Sequence, residues 1–383
     1  MIAKFLLILL TACQVYGEAV QLPIEPRLQW DNNSGYCGET SIQQAALHFG
    51  GYVSQHRIRE IIDPSQQQDV WVPDHTVDVL TALRLTFTNW DSEKPTPQYQ
   101  VFLNWMKTSL LAGHPVVFGV FVKDLSSQEY DHIVLATGFS ALSVSVFHEE
   151  DRLFFHDNYS PDRVNRTFGS LWDTRSMNGN GSAHEYCIPR DTNYACAITG
   201  VADDSGDIRP VRLMLNRWDE PNVVLGETPV TLNAIGIISG LTPGKAYALL
   251  RYDDYNLVPR SAYLSSPYSS AVHFVADGEQ KTFTDQIPSN GVAIYRCVPL
   301  PALVLPQLTT TFQAGALQLR FPTATGQTYL VETCVDLGIA TWTAFGTEFP
   351  GSGQEVTMTD TNFMNKRISF YRVRVKHTMA SNP

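Results

Sequence analysis

One stretch of the sequence decides the fold: Gln29-Trp-Asp-Asn-Asn-Ser-Gly-Tyr-Cys-Gly-Glu-Thr-Ser-Ile-Gln-Gln-Ala-Ala-Leu-His-Phe49. Its first half, up to Gly38, is polar and rich in turn residues, whereas its second half has the apolar periodicity of a helix. Cys37 therefore stands where a loop becomes a helix. The unpaired N–H groups and positive dipole at a helix start favour the thiolate, so Cys37 has the setting of a nucleophile. A lone cysteine is more often a small buried hydrophobe, and the rest of the chain must decide between these readings.

Composition limits the possible classes of protein. The chain has 383 residues, of which 44% are hydrophobic, enough for two or three domains of roughly 100–200 residues each. It carries 27 Lys and Arg against 38 Asp and Glu, a formal net charge of −11, with no run of basic residues. We therefore expect no nucleic-acid partner and no electrostatic attachment to anionic lipid.

The N-terminal sequence predicts a secretory signal peptide at residues 1–17. Lys4 precedes a short apolar run, and Val15-Tyr-Gly17 offers small residues at the positions that signal peptidase reads. The prediction is a secreted, extracellular protein. If the source is bacterial, Cys13 offers the alternative of a lipid anchor. No later stretch approaches the roughly 20 apolar residues of a membrane span, so none is expected.

Five cysteines remain after the signal, an odd number for an oxidising compartment. Cys187 and Cys196 bracket a turn-like segment, and we expect them to form a disulfide. Whether Cys297 and Cys334 pair stays open. The chain has no Cys-x-x-Cys or His-x-x-x-His pair, so we expect no metal and no other cofactor.

Asparagine sequons suggest a glycoprotein if the source is eukaryotic. Asn165 and Asn180 are the candidate glycosylation sites.

Helical patterns come first along the chain and strand patterns follow. Helices are predicted at Ser54–Ile62, His75–Leu83 and Phe102–Leu111, with Ser54 and Asp74 as N-caps. Strands are then predicted over the stretches Val116–Val122, Ile133–Phe139, Leu142–Phe147, Arg152–His156 and Ala195–Val201. This order predicts an α+β domain over residues 18–206, with a helical half packed on an antiparallel sheet.

The sequence pattern of the remaining residues predicts an all-β structure. Short strand patterns fill residues 207–299 and 304–383, and a proline-rich stretch links the two segments. Residues Ile238–Tyr247 resemble a turn and strand of fibronectin type III-like β-sandwiches. The last segment, with Trp342 and Phe370-Tyr-Arg-Val-Arg374, resembles small β-sandwich modules at the C-termini of secreted proteins.

Cysteine attack on a carbonyl needs a base and a group that orients the base. His132 stands at the start of an apolar strand, where its imidazole can face a cleft, and is the candidate base. Asp157 ends the next-but-one predicted strand and is the candidate orienting group, because ends of antiparallel strands can lie side by side. Asn158 is the alternative for that role.

The order of these elements resembles the papain-like cysteine peptidase superfamily, and within it the bacteriocin-leader-processing peptidases. The resemblance covers roughly residues 26–201 and rests on the stretches Gly35-Tyr-Cys-Gly-Glu-Thr-Ser41, Ala112-Gly-His-Pro-Val-Val-Phe-Gly-Val120, Asp131-His-Ile-Val-Leu-Ala-Thr-Gly138 and Phe154-Phe-His-Asp157. It implies a Cys37–His132–Asp157 triad. The family's oxyanion glutamine lies about six residues before the cysteine, where this chain has Asp31, which leaves Gln29 or Asn33 as oxyanion donors beside the backbone N–H of Cys37.

These observations predict a secreted papain-like thiol hydrolase that cleaves peptide bonds in a peptide or protein substrate, followed by two β-sandwich domains. The same triad would serve transfer of the acyl group to an amine. The alternative is a catalytically inactive fold that acts as a secreted or surface binding or adhesion protein, with its partner held by the β-sandwich domains.

Overall fold

The computed structural model describes residues 17–30, 35–65, 70–122, 132–173, 186–223, 226–303, 305–339, 341–366 and 368–377. Five α-helices occur among these residues: Cys37–His48 (α1), Gln55–Ile62 (α2), Asp74–Ala82 (α3), Tyr99–Leu111 (α4) and Phe168–Leu171 (α5). The predicted signal peptide, with Cys13, lies outside the described residues except for Gly17.

The described residues between 18 and 201 form ten strands: Glu18–Gln21 (β1), Gly51–Val53 (β2), Leu85–Asn89 (β3), Val116–Val122 (β4), His132–Ala141 (β5), Arg152–His156 (β6), Arg163–Thr167 (β7), Trp172–Asp173 (β8), Tyr186–Pro189 (β9) and Ala195–Val201 (β10). All of them except β2 join in one sheet. The sheet order is β3-β10-β4-β5-β6-β7, with β1 also on β5 and β9 also on β4. The central position of β4 follows from its sequence, because Val-Val-Phe-Gly-Val-Phe-Val offers apolar side chains to both faces.

A second pair of antiparallel sheets follows in the middle of the chain. Its strands are Val211–Leu215 (β11), Thr231–Ile238 (β12), Ala246–Tyr252 (β13), Ser270–Val275 (β14), Lys281–Pro288 (β15) and Val292–Pro299 (β16). The sheet orders are β11-β12-β15 and β14-β13-β16-β2. The edge strand β2 comes from the N-terminal part of the chain, with Val53 opposite Val292 and Gly51 opposite Ile294.

The middle segment also completes the first hydrophobic core. Strand β16 places Ile294 and Val298 in the core that contains Ile42 and Leu135, while the alternate residue Cys297 faces a second core. One apolar interior therefore extends from residue 22 to residue 300, and the predicted boundary near residue 206 does not separate two cores.

A buried polar cluster ties the same two parts together. Glu220 accepts hydrogen bonds from the Tyr52 hydroxyl, from Gln43 Nε2 at 3.1 Å and from the Gln55 N–H at 2.9 Å. The guanidinium of Arg27 lies 3.7 Å from its carboxylate. Burial raises the pKa of Glu220, and the charge of Arg27 opposes this rise. A buried carboxylate is tolerated only with such partners, so the network fixes how residue 220 sits on the N-terminal helices.

The C-terminal segment has its own core, formed by Leu319, Phe321, Tyr329 and Val331. Its strands are Thr309–Gln313 (β17), Ala316–Pro322 (β18), Gln327–Cys334 (β19), Thr343–Ala344 (β20), Phe349–Pro350 (β21), Glu355–Asp360 (β22) and Phe370–His377 (β23). Strands β17-β18-β22 form one sheet, while β20, β21 and β23 all pair with β19 in another. Among the described residues, no helix is both long and apolar enough to span a bilayer.

The predicted fold class is wrong. Strands account for 40% of the described residues and helices for 17%, so the described part of the protein is mostly β and built from antiparallel sheets. The expected helical half is interrupted, because β3 lies between α3 and α4 in sequence and joins the large sheet. Strand β2 leaves the same region to pair with β16, so the next segment is not a separate sandwich. Papain-like architecture followed by two β-sandwich domains does not describe this chain.

Several predicted strand bounds and one predicted helix cap agree with the structure. Strands β4, β6 and β10 have the predicted bounds, and Ser54 caps α2 by accepting a hydrogen bond from the Arg57 N–H. Residues 142–147 are described but form no strand, so the predicted strand Leu142–Phe147 is wrong. Asp74 is the first residue of α3 and not its N-cap.

We predict that the fragment 17–206 does not fold by itself, whereas the fragment 17–303 does. The shorter fragment would expose the apolar residues that face β13 and β16 and would leave Tyr52 without Glu220. Thermal unfolding followed by near-ultraviolet circular dichroism should show a cooperative transition only for the longer fragment. A cooperative transition in 17–206 would contradict the shared core.

Candidate functional site

Cys37 and His132 line one cavity of about 580 Å³. Cys37 is the first residue of α1 and His132 is the first residue of β5, so the start of a helix meets the start of a strand. Between them lies Gly38, where a Cβ atom would stand 2.5 Å from the carbonyl oxygen of Val70 and 3.3 Å from Cδ1 of Ile133. Only glycine at this position lets the first turn of α1 pack this closely against Val70 and Ile133.

Arg59 anchors the chain just before Cys37. Its Nε donates to the Glu39 carboxylate at 2.6 Å, and its Nη2 donates to the carbonyl oxygen of Gly35. The guanidinium carbon lies 3.6 Å from the centre of the Tyr36 ring. Because Arg59 and Glu39 are almost fully buried, this ion pair fixes the loop-to-helix transition from within the protein.

His132 is held in a single tautomer by its surroundings. Its Nε2 bonds to the carbonyl oxygen of Asp157, which can only accept, so Nε2 carries the proton. The other nitrogen, Nδ1, is buried, and no atom of the described residues hydrogen-bonds to it. The ring stacks on Tyr159, with centroids 4.4 Å apart. Burial lowers the pKa of His132 to about 4, against the opposing effect of Asp157, so the imidazole is neutral at pH 7 and presents a lone pair at Nδ1.

Asp157 acts on His132 through its main chain. Its carboxylate accepts the hydroxyl proton of Tyr186 at 2.6 Å and the backbone N–H groups of Tyr159 and Ser160 at 3.1 and 3.2 Å. The triad predicted from the sequence would place the Asp157 carboxylate on the imidazole. In the structure the carboxylate shapes the turn that follows β6, and the carbonyl oxygen holds the imidazole.

Asn158, the alternative orienting residue, joins the elements that carry Cys37 and His132. Its Nδ2 lies within hydrogen-bonding distance of the carbonyl oxygens of Cys37, at 3.1 Å, and Ile133, at 3.0 Å, and of Ser41 Oγ, at 3.1 Å. The residue adopts a φ of 67°, which asparagine tolerates better than most residues. Asn158 also begins an Asn-Tyr-Ser sequon, but its side chain is 1% exposed in the fold.

A buried polar relay continues beyond Asn158. Gln44 Nε2 donates to the Asn158 side-chain oxygen at 2.6 Å, and Gln44 Oε1 receives the Nδ1 proton of His156 at 2.5 Å. Burial lowers the pKa of His156 to about 3, with a further contribution from Arg163. His156 therefore stays neutral and faces α1 from the sheet.

The oxyanion candidates occupy different positions. The N–H of Gln29 donates to the carbonyl oxygen of Asn158 at 3.0 Å, but Gln29 is not among the described residues that line the Cys37 cavity. Asn33 lies outside the described residues. Tyr36 is the N-cap residue of α1, and its side chain accepts no hydrogen bond from the N–H groups of the first turn.

The predicted disulfide between Cys187 and Cys196 is wrong. Cys187 stands opposite Phe121 and Cys196 stands opposite Val117, both on the same neighbouring strand, β4. Four residues of an extended strand separate these positions by about 13 Å, whereas bridged cysteines need Cα atoms within about 7 Å. Cys187 and Cys196 therefore form no disulfide with each other.

The remaining cysteines and sequons are placed as follows. Cys297 is buried in the middle core, while Cys334 lies in the C-terminal segment and donates to the carbonyl oxygen of Asp336 at 3.0 Å. Neither forms a disulfide in the described structure. Asn165 is exposed on β7 and accepts a hydrogen bond from Arg152, so its glycosylation stays a prediction. Asn180 lies outside the described residues.

Sequence reasoning missed four residues that shape the site: Gln44, Arg59, Tyr159 and Tyr186. One signal was available in the sequence, because α1 carries five polar residues between Glu39 and Gln44. The structure buries all of residues 38–47. A polar helix inside a protein requires hydrogen-bond partners from elsewhere in the chain. The residues next to α1 in the sequence do not identify those partners.

Comparisons with known proteins identify no family. No protein-family model and no curated protein matches the chain. The chain is similar to the bacterial orthologue of human α-L-iduronidase at 13% identity and a TM-score of 0.17, over 59% of this chain and 42% of that one. It matches a tetra-tandem repeat from the extending region of a large adhesion protein at 9% identity and a TM-score of 0.15, over 78% and 71% of the two chains. Red sea bream transglutaminase matches at 9% identity and a TM-score of 0.12, over 69% and 55%.

The chain thus spans less than half the length of the first of these structures. Likenesses at such TM-scores carry no argument about fold or function.

We predict that stability falls as the pH drops below 6.5. Burial lowers the pKa of His132 and of His48 to about 4 and that of His156 to about 3, whereas each titrates near 6.5 in the unfolded chain. Between these values the unfolded chain binds protons that the folded chain does not. Each histidine should therefore lower the free energy of unfolding by about 2 kcal/mol between pH 7 and pH 5.

Urea denaturation at the two pH values measures this loss. The variant His156→Gln should show a loss smaller by about 2 kcal/mol, because one titrating group has been removed. An unchanged pH dependence in that variant would rule out the contribution of His156.

We predict that Asn158→Asp lowers the free energy of unfolding by about 3 kcal/mol or more. A carboxylate cannot donate to the carbonyl oxygens of Cys37 and Ile133, and it would be buried without a cation. Asn165→Asp makes the same chemical change on the exposed face of β7 and should stay within about 0.5 kcal/mol of the wild type. Equal losses for the two variants in urea denaturation would show that Asn158 has no special role.

Proposed function

We propose that the protein is a thiol hydrolase in which Cys37 attacks an acyl carbon and His132 is the base. The observation that carries the proposal is that both residues line one cavity while the Nδ1 lone pair of His132 has no partner among the described residues. The proposal concerns the chemistry of this site and does not depend on a papain-like architecture.

The reaction follows from the tautomer of His132. Nδ1 takes the thiol proton as Cys37 Sγ bonds to the carbonyl carbon, and the imidazolium then returns the proton to the leaving amine. Water, deprotonated by the same nitrogen, releases the acyl group and restores the thiol. The carbonyl oxygen of Asp157 stabilises the imidazolium through Nε2. The N–H groups at the start of α1 are the donors best placed for the oxyanion, because their direction is fixed by the helix.

The cavity walls suit a peptide more than a small apolar molecule. Trp71 is 42% exposed and offers an aromatic surface, while Asp74 and Glu93 are exposed carboxylates on the same walls. Glu39 also reaches the cavity, but Arg59 neutralises it. We infer that the substrate is a peptide or protein segment, in a secreted setting if the N-terminal signal acts as the sequence predicts.

A second candidate is a binding protein without turnover. It is favoured by one observation, namely that the Asp157 carboxylate is occupied by Tyr186 and does not reach the imidazole. In such a protein the cavity would hold a peptide, and Cys37 would react as an ordinary thiol.

The kinetic prediction separates these candidates. With a fluorogenic peptide library, Cys37→Ala should abolish cleavage and His132→Gln should lower kcat/KM by roughly 10²–10⁴-fold. Because burial lowers the pKa of His132 to about 4, the imidazole stays a free base down to that pH. The acidic limb of kcat/KM should therefore lie nearer pH 4 than pH 6.5. Initial rates must be measured before acid unfolding intervenes.

Alkylation by iodoacetamide gives the control. Cys37 should react with a pH midpoint well below the value of about 8.5 for an ordinary thiol, because the N–H groups and dipole at the start of α1 favour the thiolate. Cys334→Ser, in the C-terminal segment and not among the residues that line the cavity, should leave the Cys37 midpoint unchanged. Cleavage that survives Cys37→Ala would end the proposal, and an ordinary midpoint without any cleavage would favour the binding protein.

A further inference from the structure

A second cavity, of about 620 Å³, lies at the other end of α1. His48, the last residue of α1, contributes to its wall, together with the stretch that leads into β11 and with β16. Cys37 is eleven residues away along the helix, which corresponds to about 16 Å. We call this space the arginine cavity, because Arg209, Arg212 and Arg296 all line it.

The arginine cavity is positively charged in an acidic protein. Three arginines line it, and Asp203 is the single carboxylate among its described lining residues, in a chain of net charge −11. The Asp203 carboxylate already accepts the backbone N–H groups of Ser205, at 3.0 Å, and Ile208, at 2.9 Å. Within the described residues, no carboxylate forms a salt bridge with any of the three arginines.

Arg296 is the most constrained of the three. It is 1% exposed, and its Nη1 donates to the carbonyl oxygens of Tyr295, at 2.8 Å, and Phe49, at 3.5 Å. Its Nε is buried and finds no acceptor among the described residues, and the same holds for Nε of Arg209. Burial lowers the pKa of Arg296 to about 10, so the guanidinium remains charged at pH 7. Buried charges in proteins are ordinarily paired. The charge of Asp203 acts on Arg296, but no carboxylate of the described residues lies within salt-bridge distance of its guanidinium.

The other polar groups of the wall are compatible with an anion. Arg212 donates to the carbonyl oxygen of Pro23 at 3.3 Å through one nitrogen, which leaves the rest of its fork available. Burial, with the charge of Arg212, lowers the pKa of His48 to about 4, so His48 is neutral. Its buried Nδ1 has no partner among the described residues. The guanidinium groups of the three arginines and the N–H of a neutral imidazole can donate to the acceptor oxygens of a carboxylate or phosphate.

We propose that the arginine cavity binds a small anion that carries a carboxylate or phosphate group. The ligand would contact α1, the β10–β11 connection and β16 at once, so it would stabilise the junction between the N-terminal and middle parts of the chain. The proposal is independent of any catalysis at Cys37.

Isothermal titration calorimetry on the full chain tests the proposal, with inorganic phosphate and succinate as separate probes at constant ionic strength. One saturable site is expected for at least one probe, and the probe that binds identifies the group recognised. Arg212→Gln, at the partly exposed rim, should weaken binding by about tenfold or more. Arg57→Gln, an exposed arginine of α2 outside the cavity, should bind as the wild type does.

Arg296→Met should abolish binding, but a buried substitution can also prevent folding, so Arg212→Gln carries the test. Circular dichroism establishes that each variant is folded before titration. Absence of saturable heat for both anions with folded wild-type protein would overturn the proposal, as would equal affinities in Arg212→Gln and Arg57→Gln.

Discussion

The side-chain amide of Asn158 holds three separated stretches of backbone at one point. Its nitrogen bonds to the carbonyl oxygens of Cys37 and Ile133, and its oxygen is held by Gln44. These bonds set the distance between the start of α1 and the start of β5, and hence between the thiol and the imidazole. A buried amide that satisfies several backbone groups is costly to replace, because each orphaned group loses its hydration without compensation.

The rest of the N-terminal part supports that point from several sides. Arg59 fixes the loop before Cys37, and Asp157 and Tyr159 fix the ring of His132. The site is therefore held rigidly on the side of the protein. Rigid placement of both groups is what a nucleophile and a base require, since small displacements cost large factors in rate.

The middle part of the chain is structurally necessary for this site. Strand β2 leaves the N-terminal part to pair with β16, and Glu220 enters the N-terminal helices to meet Tyr52 and Arg27. The arginine cavity lies on the same junction, at the far end of the helix that begins with Cys37. Any ligand that stiffens the junction would act on the element that carries the thiol.

The sequence by itself determined the local elements and the chemistry at hand. Apolar runs placed β4, β6 and β10 within their observed bounds, and the turn-to-helix transition placed Cys37 at the start of α1. These are properties of neighbouring residues, which side-chain periodicity records directly. Only the tertiary structure decided that β2 pairs with residues 292–294, that Cys187 and Cys196 lie apart along β4, and that the carbonyl of Asp157, not its carboxylate, holds His132. The physical reason is that strand register and buried hydrogen bonds depend on partners that can lie more than a hundred residues away, or on the direction of a single peptide group. Neither produces a periodic pattern in the sequence.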